Sequence, residues 1–195
     1  MRKLMMRMSI SMDGFVCDAN GKNDWVFKTG DEESLAYSVE LGSTPGLIIM
    51  GRKSFENMAP YWPTAVGPFA APMNEIPKAV FTQNKSFDPA HTMKTTEQSP
   101  AAASWAGARV FTGNLIEEIK QLKAEPGKPI SAIGGAGFMQ NLIATGLIDE
   151  YHLFVHPVAL GAGLPIFSGV TQPLYLKLAD VKTFPGGVTA KTFRI

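Results

Sequence analysis

The chain has 195 residues, of which 45% are apolar and 18% charged. That balance excludes a disordered chain, a collagen-like fibre and a coiled coil, and against roughly 150 residues per domain it predicts a single domain over 1–195. A net charge of +1 offers no broad basic field for nucleic acid, and the one cysteine, Cys17, excludes an intramolecular disulfide.

The first eight residues, Met1 to Met8, are too broken by Arg2, Lys3 and Arg7 for a signal-peptide core. No run approaches the roughly 18 apolar residues of a membrane helix. The expectation is a cytoplasmic protein, acting on small molecules and not on membranes or nucleic acid. Leu4 to Ile10 reads as a first strand, closed by the turn signal Ser11-Met12-Asp13-Gly14. Asn20-Gly21 marks a second turn. Asp31-Glu32-Glu33 opens a helix with Leu35, Ala36 and Val39 on its apolar stripe and Gly42 after its end. Leu47 to Met50 is a continuous apolar run, as in a strand buried on both faces, and Lys53 to Met58 a short helix.

Pro60 to Pro77 carries five prolines and reads as a loop. Lys78 to Thr82 is a strand, whereas Asp88 to Gly107 gives little signal. Arg109-Val110-Phe111 reads as a strand, and Asn114 caps a helix with Leu115, Ile116, Ile119 and Leu122 at helical spacing. Ile130 to Ile133 is a strand, Gly135 to Ala144 a helix stopped by Gly146, and Tyr151 to Val155 a strand. Leu174 to Phe184 and Val188 to Ile195 alternate around Pro185-Gly186-Gly187 as a hairpin. The order predicts an α/β three-layer sandwich with a mixed, mainly parallel sheet and a C-terminal antiparallel hairpin.

Two segments carry the marks of phosphate binding. In Gly134-Gly135-Ala136-Gly137-Phe138 a strand runs into glycines and then a helix, which lets a ligand reach bare backbone and free N–H groups; the same residues also suit a ligand-free turn. The third glycine of a Rossmann fingerprint is replaced by Gln140, and no acid follows at the right distance, so that fingerprint is absent. In Gly51-Arg52-Lys53-Ser54 a strand ends on glycine and a helix starts with two cations and a hydroxyl. The spacing from Gly46 resembles a P-loop, but the intervening residues form a buried strand and Arg52 stands where the lysine belongs. His152 and His156 share a strand face at a separation of roughly 13 Å, too far for one metal, and no metal site is expected. Asp13, Asp24, Asp31, Glu32 and Glu33 all suit turns, caps or helix starts, and spacing singles out none of them. Tyr61-Trp62-Pro63 offers flat surfaces for an aromatic ligand, or packs on itself.

Taken together, Ser9-Ile10-Ser11-Met12-Asp13-Gly14-Phe15, Ile48 to Glu56, Ile133-Gly134-Gly135-Ala136, and Gly146 to Tyr151 leading to Pro157-Val158, Leu160-Gly161, Gly163, Pro165 and Phe167 resemble the dihydrofolate-reductase-like superfamily. The closer likeness is to its bacterial branch related to the C-terminal reductase domain of riboflavin biosynthesis. The resemblance implies NADPH as cofactor. Gly51, Arg52, Lys53 and Ser54 would lie along the adenosine phosphates, Thr82 and Gln83 near the 2′-phosphate, and Gly134, Gly135, Ala136, Gly137 and Phe138 around the pyrophosphate. The segment from Asp13 through Trp25 resembles the loop that covers the nicotinamide, with Trp25, Tyr61 and Trp62 on the substrate side. Asp13 is the first polar candidate at the reacting centre. Asp31 is the second catalytic candidate; it and Glu32 lie near the acid position of true folate reductases without matching it cleanly, which argues against folate reduction. The implied function is hydride transfer to a pteridine- or pyrimidine-like heterocycle in a homodimer; the rival readings are a non-catalytic binder on the same fold and, more weakly, antifolate resistance.

Overall fold

The computed structural model describes residues 1–93 and 99–195. Its strands are β1 (Leu4–Ser11), β2 (Phe15–Asp18), β3 (Leu47–Gly51), β4 (Lys78–Phe81), β5 (Arg109–Phe111), β6 (Ile130–Ala132), β7 (Glu150–His156), β8 (Gly163–Pro165), β9 (Lys177–Thr183) and β10 (Thr189–Arg194). Its helices are α1 (Trp25–Thr29), α2 (Glu32–Gly42), α3 (Arg52–Met58), α4 (Ala70–Glu75), α5 (Pro100–Ala106), α6 (Leu115–Ala124) and α7 (Ala136–Ala144). Eight strands form one sheet in the order β5-β4-β3-β6-β1-β7-β10-β9; β2 and β8 form a small separate pair. All pairings from β5 to β7 are parallel, and β10 and β9 add antiparallel. This is the expected mainly parallel α/β sheet with its C-terminal hairpin.

Alternation along the buried strands sorts the core into layers. Leu47 and Ile49 face α6 and α7 on one side, with Ile119, Leu122, Met139 and Leu142. Ile48 and Met50 face the other side, against Phe55 of α3, Met73 of α4 and Trp105 of α5. Full burial of Phe55 and Trp105 contributes roughly 1.5–3 kcal/mol each. On that second face a separate cluster packs Tyr37 and Leu41 of α2 onto Phe154 of β7, Val188 just before β10 and Ala190 of β10. The helical cover is therefore split. Between its halves β1 and the end of β6 lie bare, and there the cleft forms.

The local signals for α2 and α6 hold. Asp31 caps α2 in a reciprocal capping box with Ser34, and the Asn114 side chain accepts from Ile116 and Glu117 N–H. The proline-rich segment is more structured than a loop. A 3-10 turn spans Trp62–Thr64 and α4 spans Ala70–Glu75, with Pro72 in its first turn, where a missing N–H breaks no helical bond. In the weak segment, Ser99 caps α5 and Pro100 starts it; residues 94–98 lie outside the described residues. Among the described residues no helix is long and apolar enough to cross a membrane.

Candidate active site

The two glycine motifs meet at the C-terminal edge of the sheet. Parallel pairing of β3 and β6 puts the start of α3 beside the start of α7: Gly51 N–H donates to Gly134 O (3.0 Å) and Ile133 N–H to Ile49 O (3.2 Å). A Cβ on Gly51 would stand 2.9 Å from Phe138 Cβ, and one on Gly135 would stand 2.7 Å from Ser54 Oγ. Gly134 has φ +148, which favours glycine, and its peptide to Gly135 is cis. Neither helix has a side-chain cap at its N-terminus, so the first-turn N–H groups on both sides stay open to an anion. Gly51 and Phe81 are register partners, so Arg52 and Thr82 leave neighbouring strands side by side. Arg52 pairs with Glu56 (2.5 Å), Lys53 and Gln83 are exposed, and Thr82 Oγ1 accepts from Asn84 N–H (3.0 Å).

Directly beside this cradle lies a cleft of about 290 Å³. Its floor is Arg7 and Ser9 of β1 with Ile133, the residue bonded to Gly134. One wall is Val26 and Phe27 of α1; the other is Met58, Trp62, Phe69 and Met73. The volume is at the small end of ligand pockets and suits a one- or two-ring heterocycle. Trp62 thus lines the cleft. Tyr61 is exposed and packs edge-on behind it, ring centroids 5.1 Å apart. Trp25 is buried under α1, edge-on to His156 at 5.3 Å, and holds Val26 and Phe27 at the wall. Thr29 Oγ1 donates to Trp25 O and so accepts from Nδ1–H of His156 (both 2.8 Å), fixing the histidine tautomer.

Neither expected catalytic carboxylate is among the groups lining the cleft. Asp13 accepts from Ser11 Oγ–H (2.5 Å), Gly161 N–H (2.7 Å) and Leu160 N–H (3.0 Å), clasping the end of β1 to the loop before β8. The Ser11 hydroxyl, with the Gly161 and Leu160 amides, holds its pKa below the usual carboxylate range. Asp31 accepts from Ser34 N–H (2.7 Å) and from Gly186 N–H in the β9–β10 turn, and these contacts lower its pKa in the same way.

The residue that sequence reading passed over is Arg7. Its Nη1 donates to Ser38 O (2.8 Å), and its guanidinium lies 5.5 Å from the Phe69 ring centroid. Both partners are remote in sequence, and no local signal marks a mid-strand arginine as a cleft residue. Among the described residues no group of three or more His, Cys, Asp or Glu side chains could hold a metal ion.

Known proteins of this shape narrow the reading. A family model described as the RibD C-terminal domain matches residues 2–190. The uncharacterized protein YyaP of Bacillus subtilis (strain 168) is 31% identical over 188 residues, which cover 96% of this chain and 92% of that protein. A putative riboflavin biosynthesis protein from Shewanella sp. PV-4 superposes with a TM-score of 0.74 at 22% identity, covering 100% of this chain and 98% of that one. A pyrimidine reductase-like protein from Corynebacterium diphtheriae superposes with a TM-score of 0.67 at 15% identity, covering 99% and 91%.

Proposed function

The chain belongs to the RibD C-terminal domain family, and from that premise we propose that it is an NADPH-dependent reductase of a small conjugated heterocycle, pyrimidine- or pteridine-like. The observation that carries this reading is the meeting of two uncapped helix starts, Gly51–Ser54 and Gly134–Phe138, at the rim of an aromatic-walled cleft. The cradle fits a dinucleotide. Its glycines leave bare backbone at the place where a pyrophosphate needs N–H donors, and Arg52, Lys53 and Thr82 cluster where a 2′-phosphate needs cations and a hydroxyl.

Bound there, the cofactor supplies a hydride from the nicotinamide ring. The protein supplies geometry. The open amides of α3 and α7 would hold the phosphates, and Ile133 and Ser9 line the adjoining cleft. Trp62, Phe69 and Met58 would keep a flat substrate in face-on register. Among the described residues no carboxylate lines the cleft, so none of these side chains offers a carboxylic acid as proton donor. That same feature favours the second reading, a binder without turnover. Loss of reduced-nicotinamide absorbance during incubation with pyrimidine and pteridine panels separates the two: substrate-dependent loss supports the reductase, and tight NADPH binding without loss across the panels supports the binder.

The homodimer is part of the same reading. Strand β9 is exposed along its whole length, and Leu178 and Val181 on it, with Tyr175 before it, give an apolar edge for a second copy.

A further inference from the structure

Two histidines are buried on β7, and their partners differ. His152 has a carboxylate at hand: Nε2 lies 3.2 Å from Glu150 Oε2, and Nδ1 lies 3.1 Å from Thr192 Oγ1. His156 has none. Its Nδ1–H donates to Thr29 Oγ1, which leaves Nε2 as a bare acceptor, and among the described residues that atom has no hydrogen-bond partner. The Trp25 ring against it also buries a polar atom without a partner, the indole Nε1–H. One donor and one acceptor left dry at the same contact work against it. This contact is the footing of α1. The helix has five residues and no side-chain cap, and it anchors through Trp25, its buried side chain. Val26 and Phe27, the next two residues, form one wall of the cleft. Phe27 is 85% exposed, so its own packing does little to hold that wall in place.

We propose that His156 is a proton-operated switch for the α1 wall: neutral, it docks α1 and keeps the cleft walled by Val26 and Phe27; protonated, it releases α1 and opens that wall. A proton on Nε2 turns the acceptor into a second donor beside the Trp25 N–H, and it puts a cation into a dry contact. The charged groups on the surrounding elements are committed elsewhere. Asp24, at the start of α1, pairs with Lys28 (2.5 Å). Asp13 follows the end of β1, where Ser11 is the register partner of His156, and is bound by Ser11, Leu160 and Gly161. Asp31, capping α2, is bound by Ser34 and Gly186 of the β9–β10 turn. None of them compensates a charge on the ring, and burial holds the imidazole pKa below its ordinary 6.5. The docked state therefore disfavours the proton that the released state takes up, so docking is firm above pH 6.5 and weakens as pH falls below it. The switch acts on the wall itself, whichever ligand fills the cleft.

Amide hydrogen exchange read by NMR between pH 8 and 5 tests it, on the N–H groups of Val26, Phe27 and Gly30, which bond to Asn23 O, Asp24 O and Val26 O. After correction for the intrinsic pH dependence of exchange, opening of these amides rises below pH 6.5 by up to about tenfold per pH unit, while the amides of α6 stay protected. His156→Asn keeps an N–H to offer Thr29 but cannot take a proton, and it removes the rise. Thr29→Val cuts the tie and raises opening of the same amides already at pH 8. The imidazole resonances of the wild type give a second measurement: His156 titrates with the same midpoint as the loss of α1 protection. If His156→Asn does not fold, that coincidence carries the test. Opening that is flat from pH 8 to 5, a rise shared by α6, a rise retained in His156→Asn, opening unchanged in Thr29→Val, or titration of His156 with α1 protection intact overturns the proposal.

Discussion

Gly51 and Phe138 touch so closely that a single added carbon on the glycine would stand 2.9 Å from Phe138 Cβ. Gly51→Ala must therefore push the start of α7 away from α3. The expected cost is about 1–3 kcal/mol of stability, as for overpacking in a filled core, together with weakened NADPH binding. Gly137→Ala is the matched comparison, since nothing lies within 4 Å of its Cβ. It leaves the melting temperature unchanged or higher, so any loss of NADPH affinity there reports contact with the cofactor itself. Thermal melts and titrations of the two variants check this.

Asp13 makes the link from β1 to the loop at Leu160 and Gly161 sensitive to acid. Its folded pKa lies below the ordinary value of 3.8, so the clasp is fully present above that pH and is lost as pH falls through the depressed value. Asp13→Asn removes this acid dependence and lowers hydrogen-exchange protection of the Leu160 and Gly161 amides at neutral pH. A catalytic proton donor at this position would instead lose turnover with protection intact.

Lys78 gives a slope of the same sign in a higher pH range. It is fully buried at the start of β4, donates to Ser104 Oγ (2.7 Å), and burial pushes its pKa down to about 7. The unfolded chain binds a proton that the folded one releases, so stability rises between about pH 7 and the ordinary value of 10.5. The slope is at most about 1.4 kcal/mol per pH unit. Urea midpoints across that range show it in the wild type, and Lys78→Met flattens it.

Leu178 and Val181, both on β9, are 57% and 47% exposed. If they cover a second copy, Leu178→Glu or Val181→Glu yields a monomer by light scattering while the wild type is a dimer. A monomeric wild type removes the homodimer from the account.

What could be read from the sequence was local. Gly51, Gly134 and Gly135 were legible as glycines between a buried strand and a helix, a position that suits a ligand or a plain turn, and Asp31 and Asn114 because caps act within three residues. What escaped was non-local or disguised. Arg7 meets Ser38 and Phe69 only after the sheet has formed, so on paper it is one charge in a strand. Helix α4 hides behind Pro72, which looks like a breaker but sits in the first turn. Strands β2 and β8 have four and three residues, too few for a period, and pair across most of the chain. The sequence also left Asp13 and Asp31 open between structure and chemistry; their partners turn out to be backbone amides.

The most direct measurement is a fluorescence and calorimetric titration with NADPH and NADH, in the wild type and in Arg52→Ala. The account predicts micromolar NADPH binding, weaker NADH binding, and a loss of about tenfold for NADPH alone in Arg52→Ala, where one charge-assisted contact is removed. Binding of neither dinucleotide up to millimolar concentration would contradict it, leaving the family fold without the cofactor chemistry proposed for it.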